Sequence, residues 1–345
     1  MTKSNPGRFL EDFTRGEVIS HATPRTITEG DVALNIALTG SRYALFCADS
    51  FAQTNGLPGA PIDPLLVFHV VFGKTVPDIS LNAVANLGYA EGRFLAPVYP
   101  GDTLHAVSEV LGVKQNSNGK TGVVTVRTTG FNQDEIPVLS YVRWVMVNKR
   151  GPDPIEDAPP QTPAPAVTPP DLVLPQGLDF TEYDAALAGS PHLFEDYEIG
   201  EKIDHVDGVT VEEAEHQLAT RLYQNTAKVH FDALAQQGSR FGKRLIYGGV
   251  TISLARALAF NGLGNAALML AINGGRHVNP LFAGDTLYAW SEVLDKTDLG
   301  EAGALRLRLV AAKNRACADF PDKSGGEYDP SIVLDFDYWA AIPKR

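Results

Sequence analysis

The sequence predicts an α+β protein made of two tandem copies of one unit, each a buried helix followed by several antiparallel strands. The first observation is an internal repeat. Arg93-Phe94-Leu95-Ala96-Pro97-Val98-Tyr99-Pro100-Gly101-Asp102-Thr103-Leu104 matches Arg276-His277-Val278-Asn279-Pro280-Leu281-Phe282-Ala283-Gly284-Asp285-Thr286-Leu287 at a constant offset of 183. A period this long marks a duplicated domain rather than a solenoid unit. The second observation is that each copy runs in the same order, from a capped helix through a polar loop and an apolar helix to strand-like runs. The third is a proline-rich segment at 152–191 between the copies, holding ten of the 23 prolines.

The elements follow in chain order. Glu11-Asp12-Phe13 and Glu195-Asp196-Tyr197 open the two copies. Thr28, with Asp31 three residues on, forms a capping-box pattern ahead of an apolar helix at 32–38. In copy two the longer helix spans 249–260, is apolar on all sides and therefore buried, and stops at Asn261-Gly262. Gly101-Asp102 and Gly284-Asp285 are turn pairs that feed strands. Those strands are expected at 104–111, 122–129 and 138–147, and again at 287–293, 305–312 and 332–339. The resulting division is an N-terminal unit at 1–150, a linker or strap at 151–191 and a C-terminal unit at 192–345. Proline favours extended backbone and cannot join a central sheet. The linker is expected to be an ordered strap, with Val173, Leu174 and Leu178 packing along its course.

Bulk properties narrow the function. At 345 residues the chain can hold two real cores. A net charge of −12 argues against general nucleic-acid binding while leaving room for a small anionic ligand held by a few local cations. Two cysteines, Cys47 and Cys317, provide neither a disulfide framework nor a cysteine-based metal site. The stretch Met1 to Arg8 has no apolar core, and no window approaches a membrane span, so a cytoplasmic location is expected.

The polar loop Tyr223-Gln224-Asn225-Thr226-Ala227-Lys228-Val229-His230-Phe231-Asp232 carries the strongest chemical signal. Histidine is the side chain best able to exchange a proton near neutral pH. The two copies can be compared here, because His230 corresponds to Cys47, Asn225 to Arg42, Lys228 to Leu45 and Gly249 to Leu66. Copy one keeps the framework and lacks the hydrogen-bonding set. Copy two is thus expected to carry the chemistry.

This loop, the following Ile246-Tyr247-Gly248-Gly249-Val250 and the repeated Pro-x-x-x-Gly-Asp-Thr-Leu together resemble the MaoC-like hydratases, hotdog-fold enzymes that add water to enoyl-CoA thioesters. The resemblance covers both copies and the linker. Within that family the whole chain is similar to the members that hydrate mesaconyl-CoA (2-methylfumaryl-CoA) to β-methylmalyl-CoA in the ethylmalonyl-CoA pathway. It implies a double hotdog, in which each copy is a long helix wrapped by a curved sheet. It also implies a homodimer, and an acyl-CoA running between the copies. The family's acid/base histidine falls on His230, and its usual aspartate partner falls on Asn225. An asparagine accepts no proton but can orient water. Asp232 is the alternative helper, with a plainer role at a helix N-terminus.

Hydration of a conjugated thioester builds negative charge on the thioester oxygen, which a helix-start N–H can stabilise. Gly249 is assigned as that donor, with Gly248 allowing the turn. The chemistry requires no metal or redox cofactor. Tyr223 and Tyr247 flank the site in sequence and are expected to bind substrate. Mesaconyl-CoA also carries a free carboxylate, and CoA carries phosphates, so cations are needed. Arg221, Lys228, Arg240, Lys243 and Arg244 lie close to the loop. The alternatives are a general enoyl-CoA hydratase, a hotdog thioesterase and a non-catalytic acyl-CoA binder.

Overall fold

The computed structural model describes residues 3–345. Met1 and Thr2, the start of the stretch read above for a leader, lie outside the described residues. The main strands are β1 (Val18–Ser20), β2 (Ala83–Phe94), β3 (Thr103–Gln115), β4 (Thr121–Phe131), β5 (Pro137–Asn148), β6 (Lys202–Thr210), β7 (Leu268–His277), β8 (Thr286–Asp298), β9 (Gly303–Lys313) and β10 (Ile332–Ile342). They form one sheet in the order β1-β3-β4-β5-β2-β7-β10-β9-β8-β6, and a two-residue strand, Arg25–Thr26, also pairs with β3. The order reads the same from either end once each strand is exchanged for its repeat equivalent. The centre is an antiparallel pair, with Tyr89 opposite Gly275 and Gly92 opposite Ile272. At an offset of 183, Gly275 is the equivalent of Gly92 and Ile272 of Tyr89. The junction is therefore self-complementary, as a two-fold interface between identical subunits would be.

Four helices matter for the site: α1 (Glu29–Thr39), α2 (Pro64–Thr75), α3 (Glu213–Leu222) and α4 (Gly248–Leu258). The capping box forms at α1, where Thr28 accepts from the Asp31 N–H. All twelve residues of α2 are buried, as are nine of α4. Seven large apolar side chains in α2 (Leu65, Leu66, Val67, Phe68, Val70, Val71 and Phe72) enter one core with Tyr89, Tyr141, Leu254 and Phe336. Each such burial contributes roughly 1.5–3 kcal/mol, and Phe68→Ala would cost about 3–5 kcal/mol. After α4 the backbone leaves helical geometry at Asn261 and Gly262, where the sequence places the stop.

The two long helices begin differently. Asp63 caps α2 by accepting from the Leu65 N–H at 2.8 Å, and Pro64 follows at the first helical position. Residue 246, the repeat equivalent of Asp63, is isoleucine, and α4 has no side-chain cap.

The proline-rich segment is tied down. The Val167 N–H donates to Asn273 Oδ1 at 2.8 Å, and Trp339 Nε1 donates to the Val167 carbonyl at 3.0 Å. Leu178 is buried and Leu174 packs beside it, whereas Val173, expected to pack, is 40% exposed.

Candidate active site

A cavity of about 550 Å³ opens between the copies. Copy two contributes Asn225, Lys228, His230, Tyr247, Gly248 and His277, and copy one contributes Ser80, Asn86, Tyr89 and Arg143. The repeat-related position in copy one has collapsed. There Phe94, Ala96, Pro97 and Val98 stand where copy two has His277, Asn279, Pro280 and Leu281. That space is about 30 Å³, and Val173 and Pro175 of the strap border it.

His230 sits on a one-turn helix, Lys228–Phe231. Its Nδ1–H donates to the Leu245 carbonyl at 3.0 Å, which leaves Nε2 as an acceptor for the cavity. Burial lowers its pKa to about 4, so the imidazole is neutral at pH 7. Asn225 is buried, and its Oδ1 accepts from the Ala227 N–H at 3.1 Å. This Asx turn uses one lone pair of the carbonyl, and Asn225 lines the cavity. Asn225 thus retains both amide donors and one carbonyl lone pair with which to hold a water.

The backbone around α4 shows a gap. Leu245 N–H donates to Val229 O, Ile246 N–H to Leu281 O, and Tyr247 N–H to His216 Nε2 at 2.9 Å. Among the described residues the next two N–H groups, of Gly248 and Gly249, have no acceptor. In copy one the equivalent N–H groups of Leu65 and Leu66 are taken by Asp63. Gly248 lines the cavity, whereas Gly249, assigned as the donor from sequence, lies one residue deeper. Neither tolerates a side chain. A Cβ at Gly248 would stand 2.3 Å from His277 Nε2, and one at Gly249 would stand 2.4 Å from the Tyr247 ring.

Tyr247 lines the cavity, its ring centroid 5.4 Å from that of His230 and its buried hydroxyl unpaired. Tyr223 does not line it, contrary to expectation. Its hydroxyl donates to Asn35 Oδ1 at 3.2 Å and its ring packs 4.6 Å from His69, so it is a core residue joining the copies. Arg221 is solvent-exposed and off the cavity. Arg244 also points elsewhere, donating to Glu213 at 2.6 Å and to Gln217. Both face the polar side of α3, which sequence proximity cannot distinguish from the pocket side. Arg240 lies over Phe241 and Lys243 over Phe282. Asp232 caps the next short helix through the Ala235 N–H. Lys228 alone of the five basic candidates lines the cavity.

Two residues not singled out from sequence complete the site. His277 lies against Gly248 with its Nε2 unpaired, and burial, aided by His230, lowers its pKa to about 4. Arg143 of β5 is fully buried yet reaches the cavity. A signal for it existed: one arginine inside the apolar run Val138 to Val147, where a charge is rarely buried without a partner.

The family model described as mesaconyl-CoA hydratase matches residues 2–325. The chain is 60% identical to β-methylmalyl-CoA dehydratase of Chloroflexus aurantiacus, over 99% of each chain. It is equally identical to mesaconyl-CoA hydratase of Cereibacter sphaeroides, over 99% of this chain and 100% of the relative. A solved MaoC-domain dehydratase from C. aurantiacus superposes with a TM-score of 0.97 at 59% identity, covering 100% of both chains. A Mycobacterium tuberculosis protein described as a double hotdog fold superposes at 0.78 with 27% identity, covering 97% of this chain and 98% of that one. The chain is a double hotdog and belongs to the mesaconyl-CoA hydratase family.

Proposed function

We infer that the protein is a hydro-lyase that reversibly adds water to the double bond of mesaconyl-CoA, giving β-methylmalyl-CoA. The observation that carries this reading is the neutral His230 facing a cavity beside two unfilled N–H groups at the start of α4. In the proposed reaction the Asn225 amide donates to a water oxygen and His230 Nε2 takes a proton from that water. The oxygen bonds to the carbon β to the thioester. The displaced electron pair moves through the α carbon onto the thioester oxygen, where the N–H of Gly248, helped by that of Gly249, stabilises the enolate. Such a donor is worth about 10²–10³ in rate. The imidazolium then returns its proton to the α carbon, so the net change is one water added. CoA enters as part of the substrate, and the chemistry calls on no other cofactor.

Lys228 is exposed and lines the cavity, which supports assigning it to the CoA phosphates. The reading extends to a cytoplasmic homodimer working in the ethylmalonyl-CoA pathway, with copy two as the catalytic unit and copy one as its wall. A thioesterase would release free CoA, which a thiol assay detects beside the absorbance of the conjugated thioester. The expected result is loss of that absorbance without thiol release. His230→Ala should lower kcat by about 10²- to 10⁴-fold while circular dichroism and acyl-CoA binding persist. Full turnover by this variant would remove His230 from the chemistry.

A further inference from the structure

We propose that Arg143, contributed by the copy that lacks the histidine, binds the free carboxylate of the substrate and sets the preference for a dicarboxylic acyl-CoA. The proposal rests on the hydratase reading above and adds the residue that selects the substrate.

Arg143 is 0% exposed. Its Nη2 donates to Thr75 Oγ1 at 2.7 Å, and its guanidinium lies 4.2 Å from the centre of the Phe72 ring. Its Nε and Nη1 have no partner. Among the described residues it joins no ion pair, and no aspartate or glutamate lines the cavity. A buried charge without a counter-ion is costly, and native proteins keep one where something else supplies the opposite charge. The protein is acidic overall, with a net charge of −12, yet this cavity holds Arg143 inside and Lys228 at its edge with no acid between. Nε and Nη1 lie on opposite edges of the guanidinium, so a carboxylate would be met on one edge, by one of these vacant donors together with the second N–H of Nη2.

Neighbouring atoms point to the same ligand. The Asn86 amide is buried with both its nitrogen and its oxygen unpaired, and Ser80 Oγ is likewise unpaired. Both line the cavity from copy one. Orphaned polar atoms gathered on one wall call for a polar ligand there. A succession of rings along the same cavity links Arg143 to the reacting centre. The Phe72 ring is 5.8 Å from that of Tyr247, and Tyr247 is 5.4 Å from His230. In mesaconyl-CoA the carboxylate is attached to the carbon that receives the hydroxyl. A carboxylate held by Arg143 would therefore fix that carbon relative to the water at His230. Copy two has Tyr338 opposite Ile272, where copy one has Arg143 opposite Tyr89, so the guanidinium is not repeated at the collapsed position.

The test compares mesaconyl-CoA with 2-methylcrotonyl-CoA (the E isomer), which differs by a methyl group in place of the carboxylate. Arg143→Met keeps length and loses charge. Its kcat/KM for mesaconyl-CoA should fall about 30- to 5,000-fold, the range for removing one partner of a buried charge pair. The value for 2-methylcrotonyl-CoA should change far less, so the ratio between the two esters collapses. Arg143→Lys keeps charge without the planar fork and should lose about 10-fold; it carries the comparison if the methionine variant does not fold. A parallel measurement of ester binding in the His230→Ala background should show weakened affinity for mesaconyl-CoA alone. Equal losses for both esters, or a loss under about 5-fold for mesaconyl-CoA, would overturn the proposal. If the unaltered protein hydrates neither ester, the hydratase reading fails, while the binding comparison still decides the role of Arg143.

Discussion

Asn225 shows how one side chain can settle the division of labour at a site. Its carbonyl is held in place by the Ala227 N–H, and an amide, whichever face it presents, takes up no proton near neutral pH. His230 must then act as base alone, and it suits that role because desolvation keeps it neutral. An aspartate at 225 would preserve the turn while placing a negative charge in the same cavity. An opposite charge nearby favours the imidazolium and raises the histidine pKa. Asn225→Asp should therefore introduce an acid limb near neutral pH into kcat/KM. The unaltered protein, with its His230 pKa near 4, should show a level profile through neutrality. Measuring both profiles between pH 5 and 9 checks this, and two superimposable curves would show that the charge of residue 225 does not reach His230. The sequence was informative about His230 and Asn225 because both lie within one local turn. It misled at Arg221, Arg244 and Tyr223, because closeness along the chain does not specify which side of α3 a residue faces. It was silent about the role of Arg143, which reaches the cavity only through long-range pairing of β2 with β5.

At the scale of elements, the start of α4 is the device that distinguishes the two copies. Asp63 closes the equivalent start of α2, whereas Ile246 offers no oxygen, and the N–H groups of Gly248 and Gly249 stay free. The repeat made both helices and most strand positions legible, since an apolar helix and turn pairs recur at one offset. Whether a helix start is closed depends on a single side chain and is visible only once the two copies are superposed. The central pair β2–β7 was not foreseen, because Asn86, Gly88 and Gly92 break the apolar alternation of β2. Gly248→Ala tests the helix start directly. Its methyl group would meet the His277 ring at 2.3 Å and displace either the ring or the first turn. A fall in kcat of at least about 100-fold is expected, with acyl-CoA binding weakened less. Unaltered kcat would place the enolate elsewhere.

The whole molecule couples this site to acid stability. Five buried or partly buried histidines, His69, His205, His216, His230 and His277, have pKa values lowered by burial to about 3 or 4. They lie on both copies and include three residues of the site and its immediate support. An unfolded histidine titrates near 6.5. As pH falls below that value the unfolded chain gains protons that the folded chain cannot accept, so the equilibrium shifts toward unfolding. The histidine contribution is complete above about pH 6.5 and is lost progressively as pH falls toward 3 to 4. Each group costs about 1.4 kcal/mol per pH unit across that window at full effect. Several acting together should make acid unfolding steep and accompanied by uptake of several protons. The urea midpoint, followed by circular dichroism, should be constant from pH 8 to 7 and fall sharply below 6. Activity should fall with it, because the protein unfolds before His230 is protonated in place. A midpoint unchanged down to pH 5 would show that these histidines are hydrated in the folded protein. Activity lost near pH 6.5 with the fold intact would show the same of His230 alone.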